Sequence, residues 1–147
     1  MSIIVADKSN LEELVQLSTI LFEKESNYDD LYKTYTDVLD SAREVGLLYK
    51  KDDKYVAYMH LSIRNDYVNG TEHSPVAFVE AIFVLPKYRK LGIAREFILY
   101  AEDFARKNNC KELASDCYID NYDSENFHKS CGFVEKERVI CFAKDVL

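Results

Sequence analysis

The chain has 147 residues, enough for one domain with a real core and too few for two. Its 26 acidic residues outnumber 19 basic ones for a net charge of −7, which argues against a nucleic-acid partner, since a phosphate backbone calls for a basic surface. The same acidity either keeps the protein soluble or draws a small polycationic amine into an acidic cleft, and it weighs against an anionic substrate.

Asp7 and Lys8 directly follow the short apolar start, so no secretory leader is expected. No run reaches the roughly 20 apolar residues of a membrane span, and no membrane partner is expected. Cys110, Cys117, Cys131 and Cys141 form no CxxC pair and no metal-ligand spacing. They are expected to be reduced core thiols of a cytoplasmic protein without a metal site.

In chain order, Ile3 to Ala6 predicts a short strand. Ser9-Asn10-Leu11-Glu12 has the spacing of a capping box, and Leu11, Leu14, Val15, Leu21 and Phe22 continue it as a helix. Leu31, Tyr35, Val38, Leu39 and Ala42 mark a second helical face, with Gly46 as its terminator. The period then becomes two. Leu47–Tyr49 and Tyr55–Arg64 predict strands around a charged turn, and Asn69-Gly70 marks a turn in a polar excursion from 64 to 75. Val76 to Leu85 is a nearly unbroken apolar run, the mark of a central strand covered on both faces. A helix with Ala94, Phe97, Ile98, Ala101, Phe104 and Ala105 on one face follows a basic loop. Glu112–Tyr118 predicts a strand, Asp123–Cys131 a helix, and Phe133–Lys144 a last strand. The order β-α-α-β-β-β-α-β-α-β implies one α/β domain over 1–147, with helices on both faces of a mixed sheet.

The segment from Val84 to Ala94, VLPKYRKLGIA, carries the strongest chemical signal. A strand ends, Pro86 stops its ladder, and a glycine opens a helix whose free backbone N–H groups suit an anion; Lys87, Arg89 and Lys90 add positive charge. On physics alone, a phosphate-binding turn and a solvated basic loop are equal readings. Arg89-x-x-Gly92-x-Ala94 after a strand resembles the acetyl-CoA signature of the Gcn5-related N-acetyltransferases. The later Asn121, with the helix to Cys131-Gly132-Phe133, resembles that family's second segment. The resemblance implies a single-domain fold with a mostly antiparallel sheet and a splayed central strand. It also implies acetyl-CoA as cosubstrate, held by Ile82, Val84, Arg89, Lys90, Gly92, Ile93, Ala94 and Asn121. In it the Val84 amide meets the thioester carbonyl. Many members place a tyrosine, the acid for the leaving thiolate, where this chain has His128. Histidine could take that role near neutral pH, or could face solvent.

Glu80 is the only charge between Val76 and Leu85, and an unpaired buried carboxylate costs several kcal/mol. It is either paired with an arginine across the sheet or serves as the base that deprotonates an amine. Asp116, within the strand leading to Tyr118, is a second candidate for that contact, and Asp120 either caps a turn or joins it. From Ser62 to Val76, with Phe78-Val79-Glu80, Ala114 to Asp116 and Asp120-Asn121, the chain is similar to the short aminoglycoside 6'-N-acetyltransferases of bacterial antibiotic resistance. This likeness implies that Tyr67, Glu72, Glu80, Asp116 and Asp120 face a polycationic aminoglycoside, and that the protein is a homodimer. His73 beside Glu72 is read as surface. An acetyltransferase for another amine and a non-catalytic acyl-CoA-binding module are the competing readings.

Overall fold

The computed structural model describes residues 2–147. Strand β1 (Ile3–Val5) leads into a 3-10 turn capped by Asp7. The Asp7 carboxylate accepts from the Ser9 amide at 2.8 Å, while Asn10 Oδ1 accepts from the Asp7 amide at 3.1 Å. The expected box on Ser9 and Glu12 is thus displaced, because a carboxylate two residues earlier already takes the free amide. Helix α1 (Leu11–Leu21) buries Leu14, Val15, Leu17 and Ser18. Helix α2 (Tyr28–Asp40), capped by Asn27 on the Asp30 amide at 2.9 Å, buries Leu31, Tyr35 and Val38.

Helix α2 stops at Asp40, so Ala42 lies beyond it. Gly46, expected as its terminator, sits inside strand β2 (Glu44–Lys51). A Cβ on Gly46 would stand 3.1 Å from Leu14 Cδ1. The missing side chain lets α1 close on the sheet.

Strands β2, β3 (Lys54–Arg64) and β4 (Val76–Val84) are antiparallel neighbours, and β5 (Leu113–Ala114) joins β4 in parallel, giving the order β1-β2-β3-β4-β5. Helices α3 (Ile93–Lys107) and α4 (Tyr122–Ser130) complete the chain. The sheet separates two cores. On one face Leu48, Tyr58, Ala81 and Phe83 lie under Leu14, Val15, Leu31 and Tyr35 of α1 and α2. On the other, Ala57, Met59, Leu61, Val79 and Val84 take Phe97, Ile98 and Ala101 of α3. Period-two alternation in β3 sorts its side chains between these layers.

Two expected strands depart from the pattern. The one predicted over Glu112–Tyr118 keeps only Leu113–Ala114 in the ladder, and Phe133–Lys144 forms no strand. In the latter, Val134, Val139, Ile140 and Phe142 are 57–91% exposed. Alternating side chains define the faces of a strand, but its N–H and C=O groups still require a neighbouring strand. The cysteines are all unpaired. Cys110 is buried and Cys131 half-buried, whereas Cys117 and Cys141 are exposed on the two departing segments, so they are not core thiols. No helix among the described residues is long and apolar enough to cross a membrane.

Candidate active site

Strands β4 and β5 pair only at Ala77↔Leu113 and Phe78↔Ala114, then part to leave a wedge in the sheet. Within β4, Ala81 faces His60 and Val79 faces Leu61, so Glu80 is an extra, bulged residue. The bulge shifts the alternation of β4 by one. Ahead of it, Ala77 N–H donates to Glu112 O on the β5 side at 3.2 Å; beyond it, Leu85 N–H donates to Val56 O on the β3 side at 2.9 Å. Counting back by twos from Leu85, the amides of Val84 and Ile82 turn away from β3 and into the wedge.

The basic turn lies at the wide end of that wedge. Pro86–Tyr88 form a short 3-10 turn, Lys90 and Gly92 take positive φ of 63° and 85°, and Ile93 and Ala94 begin α3. A Cβ on Gly92 would meet nothing within 4 Å, so the space before the helix start is open. Arg89 folds back: its Nε donates to the Val84 carbonyl at 2.8 Å, bracing the turn against the strand. Asn121 is the cap of α4, its Oδ1 accepting from the Ser124 amide at 3.2 Å.

The α1/α2 side of the wedge is charged. Arg64 donates from Nε and Nη2 to Glu80 at 2.9 and 2.7 Å, and Ser62 Oγ donates to the same carboxylate at 2.6 Å. Burial raises the Glu80 carboxyl, but the hydrogen bonds from Arg64 and Ser62 and the charge of Arg64 outweigh it, leaving it below its ordinary value. Arg64 also stacks on Phe78, 3.6 Å from its centroid, and feels the negative charge of the exposed Asp116. Glu80 is thus hydrogen-bonded to Arg64, and Asp116 lies within that arginine's electrostatic reach. Tyr67 (74% exposed) and Glu72 stand on the loop between β3 and β4. Glu112 anchors that loop, accepting from the Glu72 and His73 amides at 2.9 and 2.8 Å and meeting His73 Nδ1 at 2.8 Å. His73 is exposed, as read from the sequence, and its ring also meets Glu112. Asp120 is exposed just ahead of the Asn121 cap.

On the α4 side, His128 is half-buried between Phe127 and Phe133, its ring meeting theirs edge-on. Its Nε2 lies 2.7 Å from Ser115 Oγ, and its Nδ1 lies 2.7 Å from the Ser124 carbonyl. Ser62, Arg64, Glu112 and Ser115 were not among the residues singled out in the sequence. The available signal was polar residues spaced by two in strand β3, His60-x-Ser62-x-Arg64, which put a polar row on one face. Among the described residues no group of three or more His, Cys, Asp or Glu side chains could hold a metal ion.

A two-core α/β sheet split beside a basic, glycine-bearing turn is an acetyltransferase architecture, and the chain belongs to the acetyltransferase (GNAT) family, whose model matches residues 11–133. Within it, the chain is 37% identical over 148 residues to an aminoglycoside N(6')-acetyltransferase type 1 of Acinetobacter baumannii, with 99% of both covered. The same enzyme of Acinetobacter haemolyticus is 38% identical over 146 residues, again with 99% of both covered. The fold matches the structure of AAC(6')-Iy in complex with the bisubstrate analogue CoA-S-monomethyl-acetylneamine at a TM-score of 0.92. That pair is 33% identical over 98% of this chain and 97% of the other.

Proposed function

We propose that the chain transfers the acetyl group of acetyl-CoA to the 6'-amine of aminoglycoside antibiotics, conferring resistance from the cytoplasm, with residues 1–147 acting as one catalytic domain. The observation that carries this reading is the wedge itself, with inward-turned amides on one lip and Asp116 on the other. The names of the relatives supply the substrate class.

The turn fits the cosubstrate. An open space before Gly92, lysines 87 and 90, and the unpaired N–H groups of the α3 start suit a pyrophosphate. Acetyl-CoA supplies the acetyl group as a thioester. Val84 N–H, facing the wedge, donates to the carbonyl oxygen where negative charge builds up during attack. Asp116 takes a proton from the 6'-ammonium, whose ordinary pKa near that of lysine, about 10, leaves it protonated and non-nucleophilic at neutral pH. Glu80, already engaged by Arg64 and Ser62, holds the arginine in place and adds negative field for the cationic substrate. Tyr67, Glu72 and Asp120 complete the acceptor wall.

The reading includes a homodimer, which two features support. The segment from Val134 to Phe142, with Val139, Ile140 and Phe142 exposed, has no strand neighbour among the described residues, and β5 is the edge strand of the sheet; a second copy would cover both.

The test is thiol release from acetyl-CoA with a kanamycin-type aminoglycoside, spermidine and a lysine peptide offered separately. Rapid release is expected only with the aminoglycoside, with NMR placing the acetyl group on the 6'-nitrogen. An aminoglycoside with a 6'-hydroxyl should be a poor substrate. Preferential turnover of spermidine, or acetylation at another ring nitrogen, would overturn the assignment.

A further inference from the structure

Ser115 is the first residue after β5 leaves its ladder with β4, so it stands where the wedge opens. Its hydroxyl is 2.7 Å from His128 Nε2. The other ring nitrogen, Nδ1, is 2.7 Å from the Ser124 carbonyl, which only accepts; the Ser124 hydroxyl is a longer contact at 3.3 Å. Nδ1 therefore carries a proton in either charge state of the ring, and Nε2 is the nitrogen that changes. When the ring is neutral, Ser115 donates to Nε2. When the ring is charged, Nε2 donates to Ser115 Oγ, and the serine's own proton is free for another acceptor. Helix α4 and the flanking Phe127 and Phe133 rings hold this alignment.

We propose that Ser115 is the group that protonates the departing CoA sulfur, with His128 behind it as a positioning residue that replaces the serine's proton. The inference rests on the acetyl-transfer reading above. Neighbouring residues divide the work: Asp116 lies in the field of Arg64 on the acceptor side, and Ser115 faces α4. As the amine nitrogen bonds to the acetyl carbon and the C–S bond breaks, the electron pair of that bond goes to sulfur. Ser115 gives its hydroxyl proton to the sulfur and takes the Nε2 proton of the His128 imidazolium. The amine loses two protons in all, passed through Asp116 to solvent, and His128 regains one from solvent, so the cycle releases one net proton.

Three variants test the assignment: Ser115→Ala, Ser115→Thr and His128→Gln. Ser115→Ala should lower kcat by about 100-fold, the lower end for loss of an acid–base group, with both KM values within about twofold of wild type. Ser115→Thr, which keeps the hydroxyl, should recover most of the rate. His128→Gln should match Ser115→Ala, and the double variant should be no slower, as for two members of one relay. A binding readout needs no aminoglycoside. CoA labelled with 13C on the carbon bonded to sulfur is titrated by NMR on each protein. Its thiol should ionise about one pH unit lower on the wild type than on Ser115→Ala, the scale of a hydrogen bond to a charged group. Near wild-type kcat in Ser115→Ala, or the same thiol titration on both proteins, would overturn the proposal. Should Ser115→Ala fail to fold, unchanged kcat and thiol titration in His128→Gln would overturn it. A wild type that lowers the thiol titration yet acetylates no aminoglycoside supports the Ser115 assignment and refutes the substrate reading.

Discussion

Glu80 accepts three hydrogen bonds from Arg64 and Ser62 at 2.6–2.9 Å, an arrangement that holds only while the carboxyl is ionised. Its folded-state pKa lies below its ordinary 4.5, so its contribution to stability is complete above that value and is lost as pH falls through the lowered one. Glu80→Gln should therefore flatten the acid side of a plot of Tm against pH. At neutral pH it should cost about 1–2 kcal/mol, modest because the Arg64 side chain is 42% exposed. In kinetics the two carboxylates should separate. Asp116→Asn should lower kcat by about 100- to 10,000-fold, whereas Glu80→Gln should chiefly raise the aminoglycoside KM. Near wild-type kcat in a folded Asp116→Asn would remove it as the base. Glu80 was legible as a candidate because a lone charge in an apolar strand demands a reason. An arginine across the sheet was one of its two readings, and the structure shows that pair; which arginine was not legible, since Arg64 sits at a strand end where a charge needs no reason. Ser115 was silent for a similar cause: an isolated serine gains meaning only from the ring that meets it.

Secondary structure was legible where the burial of an element is decided by its own periodicity. Strands β3 and β4 divide their side chains between two layers and helix α3 turns one apolar face to the sheet, and the pattern of apolar residues recorded both. The segment from 133 to 147 has a strand's composition without a strand's neighbour, which no local pattern reveals. Gly70 shows where this segment passes: with φ of +82°, a Cβ there would stand 2.7 Å from Lys136 Cβ, so the tail lies close against the loop that carries Tyr67 and Glu72. If residues beyond Arg138 are the dimer contact, truncation after Arg138 should convert a dimer to a monomer in sedimentation. The aminoglycoside KM should change little, because Lys136 and Glu137, which lie against the loop at Gly70, are retained. A truncated protein that remains dimeric would place the interface elsewhere.

At the scale of the whole molecule, the net charge of −7 left solubility and substrate attraction undivided, and the proposed function divides them by place in the fold. Basic residues gather at the turn from Lys87 to Lys90, while Glu80 pairs with Arg64 and Asp116 lies in its field, and on the proposed function the first would take the polyanion and the second the polycation. The separation of β4 from β5 beyond Phe78 and Ala114 has a consequence for the order of events. A gap that passes through a sheet has two mouths. A donor entering by one does not bar the other, and neither occupant must leave before its counterpart arrives. Initial rates measured against both concentrations should accordingly give double-reciprocal lines that intersect, with each product inhibiting without the other present. Parallel lines, or an acetylated protein caught by mass spectrometry before any amine is added, would mean instead that the group rests on the enzyme between two separate visits.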